Sequence, residues 1–346
     1  MSIHSRKDGP ILLFYDGFEE KAIDTPWGNA WSALRGQARY TYRTLRKRQP
    51  LTGYYTAFRN LRDSLRAMGY EVRVNDFRCA RAHPDHPVGI SGYPPVYDKV
   101  ILPNPAVFGP GHVPQLPEVE ARMKRCNIQI MTLPSEWPCQ IYEPVLGERV
   151  QPMFVGVDTQ AWPDLSDHEK TLDCIVYDKI RWHRAEREAD VMQGLYAHLD
   201  ARGISHQTLR YGGHHLAEFR AALARARSLI FVCEHETQGL AYQEAMSSGV
   251  PVLAWEEGVL VDPHQGKHAP DDLVVSAVPY FDERCGRKFK TGGFEAAFNG
   301  FWQDLDSFRP RDYVREMLSF ERAAKRYLDL YWQAGEMGAA ISPETR

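Results

Sequence analysis

Glu236 and Glu244 stand eight positions apart in the stretch SLIFVCEHETQGLAYQEAMSSGVPVLAW, Ser228 to Trp255, with Gly239 between them. Leu229 to Val232 is a short unbroken apolar run of the kind that forms a strand buried on both faces, and Glu236 follows on the loop leaving its C-terminal end. Gly239 opens a helix. A glycine there lets backbone N–H groups approach a ligand closely, and the first helical N–H groups, which have no intrahelical partner, can be satisfied by phosphate oxygens with help from the helix dipole. Glu244 lies just over one turn in from Leu240. Gly249 ends the helix, Pro251 prevents its continuation, and Pro251 to Trp255 reads as the next strand. These residue types in this order predict a phosphate-bearing ligand held beside two acids; the plain alternative is an ordinary strand–helix–strand unit with a solvated acidic helix.

A departing diphosphate needs cations to neutralise it. Lys179 and Arg181 are the expected pair, because they follow the run Leu172 to Tyr177 at its C-terminal end, where ligands sit in open α/β sheets. Solvated loop charges are the competing reading. His83 with His86, and His214 with His215, lack a second ligand pair at a defined spacing and read as loop histidines. Asp304 and Asp306 fall in a helical stretch with Phe301, Trp302 and Leu305 and read as surface acids, so no metal site is expected. The loop Asn104 to Pro114 carries His112, an acceptor-side candidate.

The elements that must position these groups recur along the chain. Apolar runs at Ile11 to Tyr15, Val72 to Val74, Val100 to Leu102 and Ile128 to Leu133 alternate with amphipathic helical stretches, the pattern of a parallel α/β sheet. One such helix carries Trp31, Leu34, Ala38, Tyr42 and Leu45 on an apolar stripe; the next carries Tyr54, Phe58, Leu61, Leu65 and Met68 and stops at Gly69. The alternation restarts at Leu172 to Tyr177, with a helix from Glu186 to Arg202, a strand at Thr208 to Tyr211 and a helix through Leu216, Phe219 and Leu223. On the first helix, Arg35, Arg39, Arg43, Arg46 and Lys47 are expected to share a face opposite the apolar stripe, either simply solvated or drawn to anionic lipid headgroups.

The chain has 346 residues, 43% of them hydrophobic, enough for two domains with real cores. A formal net charge of -3 gives no global attraction to nucleic acid, and the aromatics beside the arginine face are expected in the core, so no nucleic-acid partner is predicted. Six cysteines without CxxC spacing read as reduced core residues. The first ten residues have no apolar h-region and no run is long enough to span a bilayer, so the expectation is a cytoplasmic protein, either free or peripheral at the inner face of the membrane.

Glu236, Thr237, Gln238 and Gly239 through Glu244, Ala245 and Met246, then Gly249, Val250, Pro251 and Val252, resemble the donor-site signature of family-4 retaining glycosyltransferases. Gly156, Val157, Asp158, Thr159, Trp162 and Pro163 are similar to that family's crossing segment, and Phe320 to Tyr331 to its terminal helix. The resemblance implies a GT-B fold: two Rossmann-like domains facing across a cleft, residues 1–155 on the acceptor side and 156–315 on the donor side, with a C-terminal helix, 316–346, crossing back to the first domain. It implies transfer of a sugar from a nucleotide-diphosphate sugar to a glycan, lipid-linked or small-molecule acceptor with retention, without metal or other cofactor. Glu236 would contact the sugar hydroxyls, the amides at Gln238, Gly239 and Leu240 the diphosphate, and Glu244 the ribose; Lys179 and Arg181 would supply positive charge. The family's usual Gly-Arg with a Lys several residues on is not reproduced, although Arg184 could stand in for that Lys. A nucleotide-sugar epimerase or phosphorylase on the same fold, and a catalytically silent sugar-nucleotide-binding scaffold subunit, remain alternatives; a glycosidase built on Glu236 and Glu244 fits least well.

Overall fold

The computed structural model describes residues 9–46 and 51–341 and divides into two units, Met1–Gly156 with Phe320–Arg346, and Val157–Ser319. The first unit is built on a six-stranded parallel sheet, in the order β2-β1-β3-β4-β5-β6, from β1 (Ile11–Asp16), β2 (Val72–Val74), β3 (Val88–Gly92), β4 (Ala106–Gly111), β5 (Ile128–Leu133) and β6 (Val150–Pro152). β1 and β5 are buried at every residue, which is why they read as continuous apolar runs and do not alternate.

Two expectations fail here. Val100 to Leu102 is not a strand, and the segment expected as the loop Asn104 to Pro114 contains β4. β3 and β4, VGISG and AVFGPG, carry too few branched residues to stand out. Packing explains the glycine at position 89. A Cβ there would lie 1.9 Å from the hydroxyl of Tyr327, which belongs to the terminal helix Phe320–Ile341. That helix packs on the first sheet, as the resemblance implied. The Tyr331 hydroxyl donates to the carbonyl of Pro87 and accepts the N–H of Leu12, so two buried backbone groups at strand ends are satisfied from the far end of the chain.

The helices α1 (Pro26–Leu45) and α2 (Gly53–Ala67) fill the long connection between β1 and β2. α2 behaves as expected, burying Phe58, Leu61 and Leu65. α1 does not. Trp31, Leu34, Tyr42 and Leu45 are exposed, while Arg39 and Arg43 are half-buried; the stripe points away from the protein and the arginines flank it instead of opposing it. Lys47 lies outside the described residues.

The second unit has a five-stranded parallel sheet in the order β11-β10-β9-β7-β8, from β7 (Leu172–Asp178), β8 (His206–Arg210), β9 (Ala226–Val232), β10 (Val252–Trp255) and β11 (Gly286–Phe289). The expected helix over Glu186 to Arg202 starts at Arg184 and carries a π-helical stretch, Glu188–Met192, before Gln193–Ala201. All six cysteines are free, and five are buried. Among the described residues no helix is long and apolar enough to cross a membrane.

Candidate functional site

The order of the second sheet reverses at β7: the chain runs outward to β8 and then returns to place β9 on the other side of β7. Loops leaving β7 and β9 therefore part from each other and open a crevice at their carboxyl ends, the topological switch point at which open α/β sheets bind ligands. Lys179 and Arg181 leave β7 there, and Glu234, His235 and Glu236 leave β9.

The structure brings Lys179 and Glu236 into direct contact as an ion pair between Nζ and Oε1, with only 13% and 9% of the two side chains exposed. Burial would push the Glu236 carboxyl up, but Lys179 and then Arg181 outweigh it and hold the group below its ordinary value. Burial would push the Lys179 ammonium down, and Glu236 reverses that as well. Both groups are charged. The Cys233 thiol donates to Glu236 Oε1 at 3.3 Å, the Glu236 N–H donates to Ser276 O at 2.8 Å, and the Lys179 ammonium lies 4.4 Å from the centre of the Tyr211 ring.

Arg181 is exposed, but its guanidinium donates to the His235 carbonyl and covers the Trp182 ring at 4.2 Å. The Trp182 ring in turn stacks on His235 at 4.8 Å. Burial, reinforced by Arg181, lowers the His235 imidazole to about 4, so it is neutral at neutral pH. The loop after β7 is shaped by Glu234, which accepts the N–H groups of Arg181 and Trp182 at 3.1 and 2.9 Å. Sequence reasoning missed Glu234, since its partners lie more than fifty residues away and no local pattern announces them. Arg184 grips Asp178 with both ends of its guanidinium, at 2.8 and 2.5 Å, and so braces the strand end.

Gly239 caps the helix Leu240–Ser247 with a left-handed backbone, φ 83° and ψ 57°. A Cβ there would meet the Tyr242 ring at 2.2 Å and Glu236 Cγ at 3.4 Å, so both conformation and space require glycine. As the N-cap residue, Gly239 has no side chain with which to cap the first N–H groups of this helix. The helix closes with a Schellman pattern, Val250 N–H to Ala245 O and Gly249 N–H to Met246 O, both 3.0 Å. The Gln238 side-chain amide is spent on Gln243, donating to its Oε1 at 3.0 Å, while Gln243 donates back to the Gln238 carbonyl. Glu244 is half-buried on the helix, and it and Glu236 both act on the buried Tyr177 hydroxyl, whose ionisation burial already suppresses.

With this geometry the chain can be set beside known proteins. No protein-family model matches it, and no curated protein sequence does. Among solved structures it is similar to sucrose-phosphate synthase from Thermosynechococcus elongatus, at 13% identity over 96% of this chain and 100% of that one, with a TM-score of 0.55. The catalytic domain of starch synthase IV from Arabidopsis thaliana, solved with ADP and acarbose, gives 11% identity over 79% and 78% of the two chains and a TM-score of 0.49. WaaG, a glycosyltransferase involved in lipopolysaccharide biosynthesis, gives 11% over 96% and 100%, with a TM-score of 0.41. The fold is GT-B.

Within this GT-B chain the remaining sequence candidates are placed as follows. His112 is exposed at the end of β4 in the first unit, its ring 6.3 Å from that of Tyr54. His86 hydrogen-bonds the Pro10 carbonyl at 3.0 Å, His214 the Arg210 carbonyl at 2.8 Å, and His215 caps the helix Leu216–Arg225. Asp304 pairs with Arg287. Among the described residues no three His, Cys, Asp or Glu side chains converge as a metal site would. A pocket of about 230 Å³ lined by Arg187, Glu234, Trp255, Glu257 and Thr291 lies beside the crevice, at the ends of β9, β10 and β11.

Proposed function

We propose that this GT-B chain is a glycosyltransferase that moves a sugar from a nucleotide-diphosphate donor to an acceptor with retention of configuration. The observation that carries the reading is the Lys179–Glu236 ion pair at the β7/β9 switch point, next to a glycine-opened helix that bears Glu244. A preassembled pair of opposite charges suits a donor whose two ends differ. Glu236 accepts hydrogen bonds from sugar hydroxyls; Lys179 and Arg181, with the amides of Gly239 and Leu240, stabilise the diphosphate as the bond from the sugar's anomeric carbon to the phosphate oxygen breaks. Gln238, its amide engaged by Gln243, contributes its backbone. Glu244 takes the ribose hydroxyls.

The acceptor oxygen attacks the anomeric carbon from the face the diphosphate leaves, and its proton passes to a donor phosphate oxygen, so that a nucleoside diphosphate and a glycoside are the products. No metal or other cofactor takes part in this scheme, and the acceptor is a glycan or lipid-linked saccharide met in the cytoplasm or at the inner face of a membrane. Incubation of the full chain with a panel of nucleotide sugars and saccharide acceptors tests it. Nucleoside diphosphate should appear only when both substrates are present, and should persist in EDTA; conversion of the donor alone would indicate an epimerase, and restoration of chelated enzyme by magnesium would overturn the metal-free scheme.

A further inference from the structure

α1 carries six large apolar or aromatic side chains in contact with solvent: Trp27 at 86% exposure, Leu45 at 77%, Trp31 at 60%, Leu34 at 59%, Tyr42 at 57% and Tyr40 at 43%. Singly exposed apolar residues are ordinary, but the contiguous helical row made by five of them, all but Tyr40, is not. At 100° per residue Trp27, Trp31, Leu34, Ala38, Tyr42 and Leu45 fall within about 80° of arc. The side that packs on the protein is a different one. Ser32 is buried and accepts the Lys21 N–H at 2.8 Å, and at Gly36 a Cβ would lie 2.2 Å from the Glu19 carbonyl oxygen. These two positions lie roughly 140–180° from Trp27 on the same wheel.

Between the packed side and the apolar row runs a flank of cations, Arg35, Arg39 and Arg46, with half-buried Arg43 on the packed side, and the helix contains no aspartate or glutamate. Arg39 is anchored over the Phe18 ring at 5.3 Å. On the other flank the hydroxyls of Thr41 and Thr44 turn back to the carbonyls of Gln37 and Tyr40, at 3.0 and 2.9 Å, which leaves that side polar and uncharged. A row ending in tryptophan and bordered by arginine is what the boundary between headgroups and acyl chains accommodates, apolar bodies below and guanidinium groups at the phosphates.

We infer that α1 lies in the plane of an anionic membrane surface with Trp27, Trp31, Leu34 and Leu45 inserted and the exposed Arg35 and Arg46 on lipid phosphates. This differs from adsorption by charge alone, since the apolar row and not the arginine flank faces outward. It concerns the first unit only and stands or fails apart from the donor chemistry of the second.

Co-sedimentation of the full chain with phosphatidylcholine vesicles, with and without phosphatidylglycerol, tests the inference. Wild-type protein should bind the anionic vesicles, and raising the salt should weaken but not abolish binding, because screening acts on the arginines and not on inserted side chains. Trp31→Ser with Leu34→Ser should lower partitioning about tenfold or more while leaving the thermal midpoint unchanged, since both side chains are exposed. Arg35→Gln with Arg46→Gln should remove the preference for phosphatidylglycerol. Absence of binding at low salt, or equal binding by the Trp31→Ser/Leu34→Ser protein, would overturn the inference. So would a dimer in lipid-free solution that these substitutions dissociate, which would assign the face to a second copy.

Discussion

The Lys179–Glu236 contact changes what a substitution at Glu236 should do. A carboxylate on a solvated loop could be removed without cost to the fold, but here its loss strands a buried ammonium, and breaking such a pair costs about 3–5 kcal/mol. Glu236→Ala should therefore lose transfer and also melt early, and Lys179→Met should do the same. The double variant Lys179→Met/Glu236→Leu should regain most of the stability and none of the activity; chemical denaturation of the three proteins measures the cycle. The pH dependence follows from the signs. Glu236, lowered on folding, stabilises above the unfolded carboxylate value of about 4.3, and Lys179, raised on folding, stabilises below about 10.4, so the pair gives a plateau between them. His235 acts inside that plateau: its folded value of about 4 lies below the ordinary 6.5, so the unfolded chain takes up a proton first as pH falls through this window. Stability should drop by about 3 kcal/mol between those values from this group. His235→Phe, which keeps a ring on Trp182, should flatten that slope in urea denaturation followed against pH.

Gly239 fixes the start of the helix Leu240–Ser247, because its left-handed φ and the 2.2 Å approach of Tyr242 both exclude a side chain. Gly239→Ala should cost about 1–3 kcal/mol in strain and displace the first amides of the helix, lowering the thermal midpoint and weakening nucleotide binding together. The strands β1, β5, β7, β9 and β10 and the helix Leu240–Ser247 were legible because buried strands and glycine-bounded helices leave plain traces, and β2, with Arg73 exposed, was legible from its flanking valines. β3 and β4 were not. Their glycines answer to neighbours distant in sequence, Tyr327 for Gly89 and Thr132 for Gly109, where a Cβ would meet Oγ1 at 1.9 Å. The face of α1 was misread for a related reason: periodicity reveals that a stripe exists, and only tertiary contacts such as Ser32 and Gly36 reveal which way it points. At the candidate site, local spacing singles out Glu236, Gly239 and Glu244, whereas the Glu234 caps and the Asp178–Arg184 brace depend on how loops meet in three dimensions.

Over the whole molecule the chain leaves the first unit at Gly156 and re-enters it at Phe320, so that unit is completed only when the last helix is made. Tyr327 and Tyr331, fully buried there, tie the terminal helix to a sheet whose first strand begins at Ile11. The second unit is one continuous segment and carries every residue assigned to the donor. The central claim thus rests on one unit and one ligand class, and calorimetric titration of the full chain with uridine, adenosine and guanosine diphosphates tests it most directly. At least one should bind saturably, and Glu244→Ala should weaken it by about 1–3 kcal/mol, the worth of a charge-assisted hydrogen bond to the ribose. Failure of all three to bind, or equal affinity in the Glu244→Ala protein, would contradict a nucleotide-sugar site at the β7/β9 switch point.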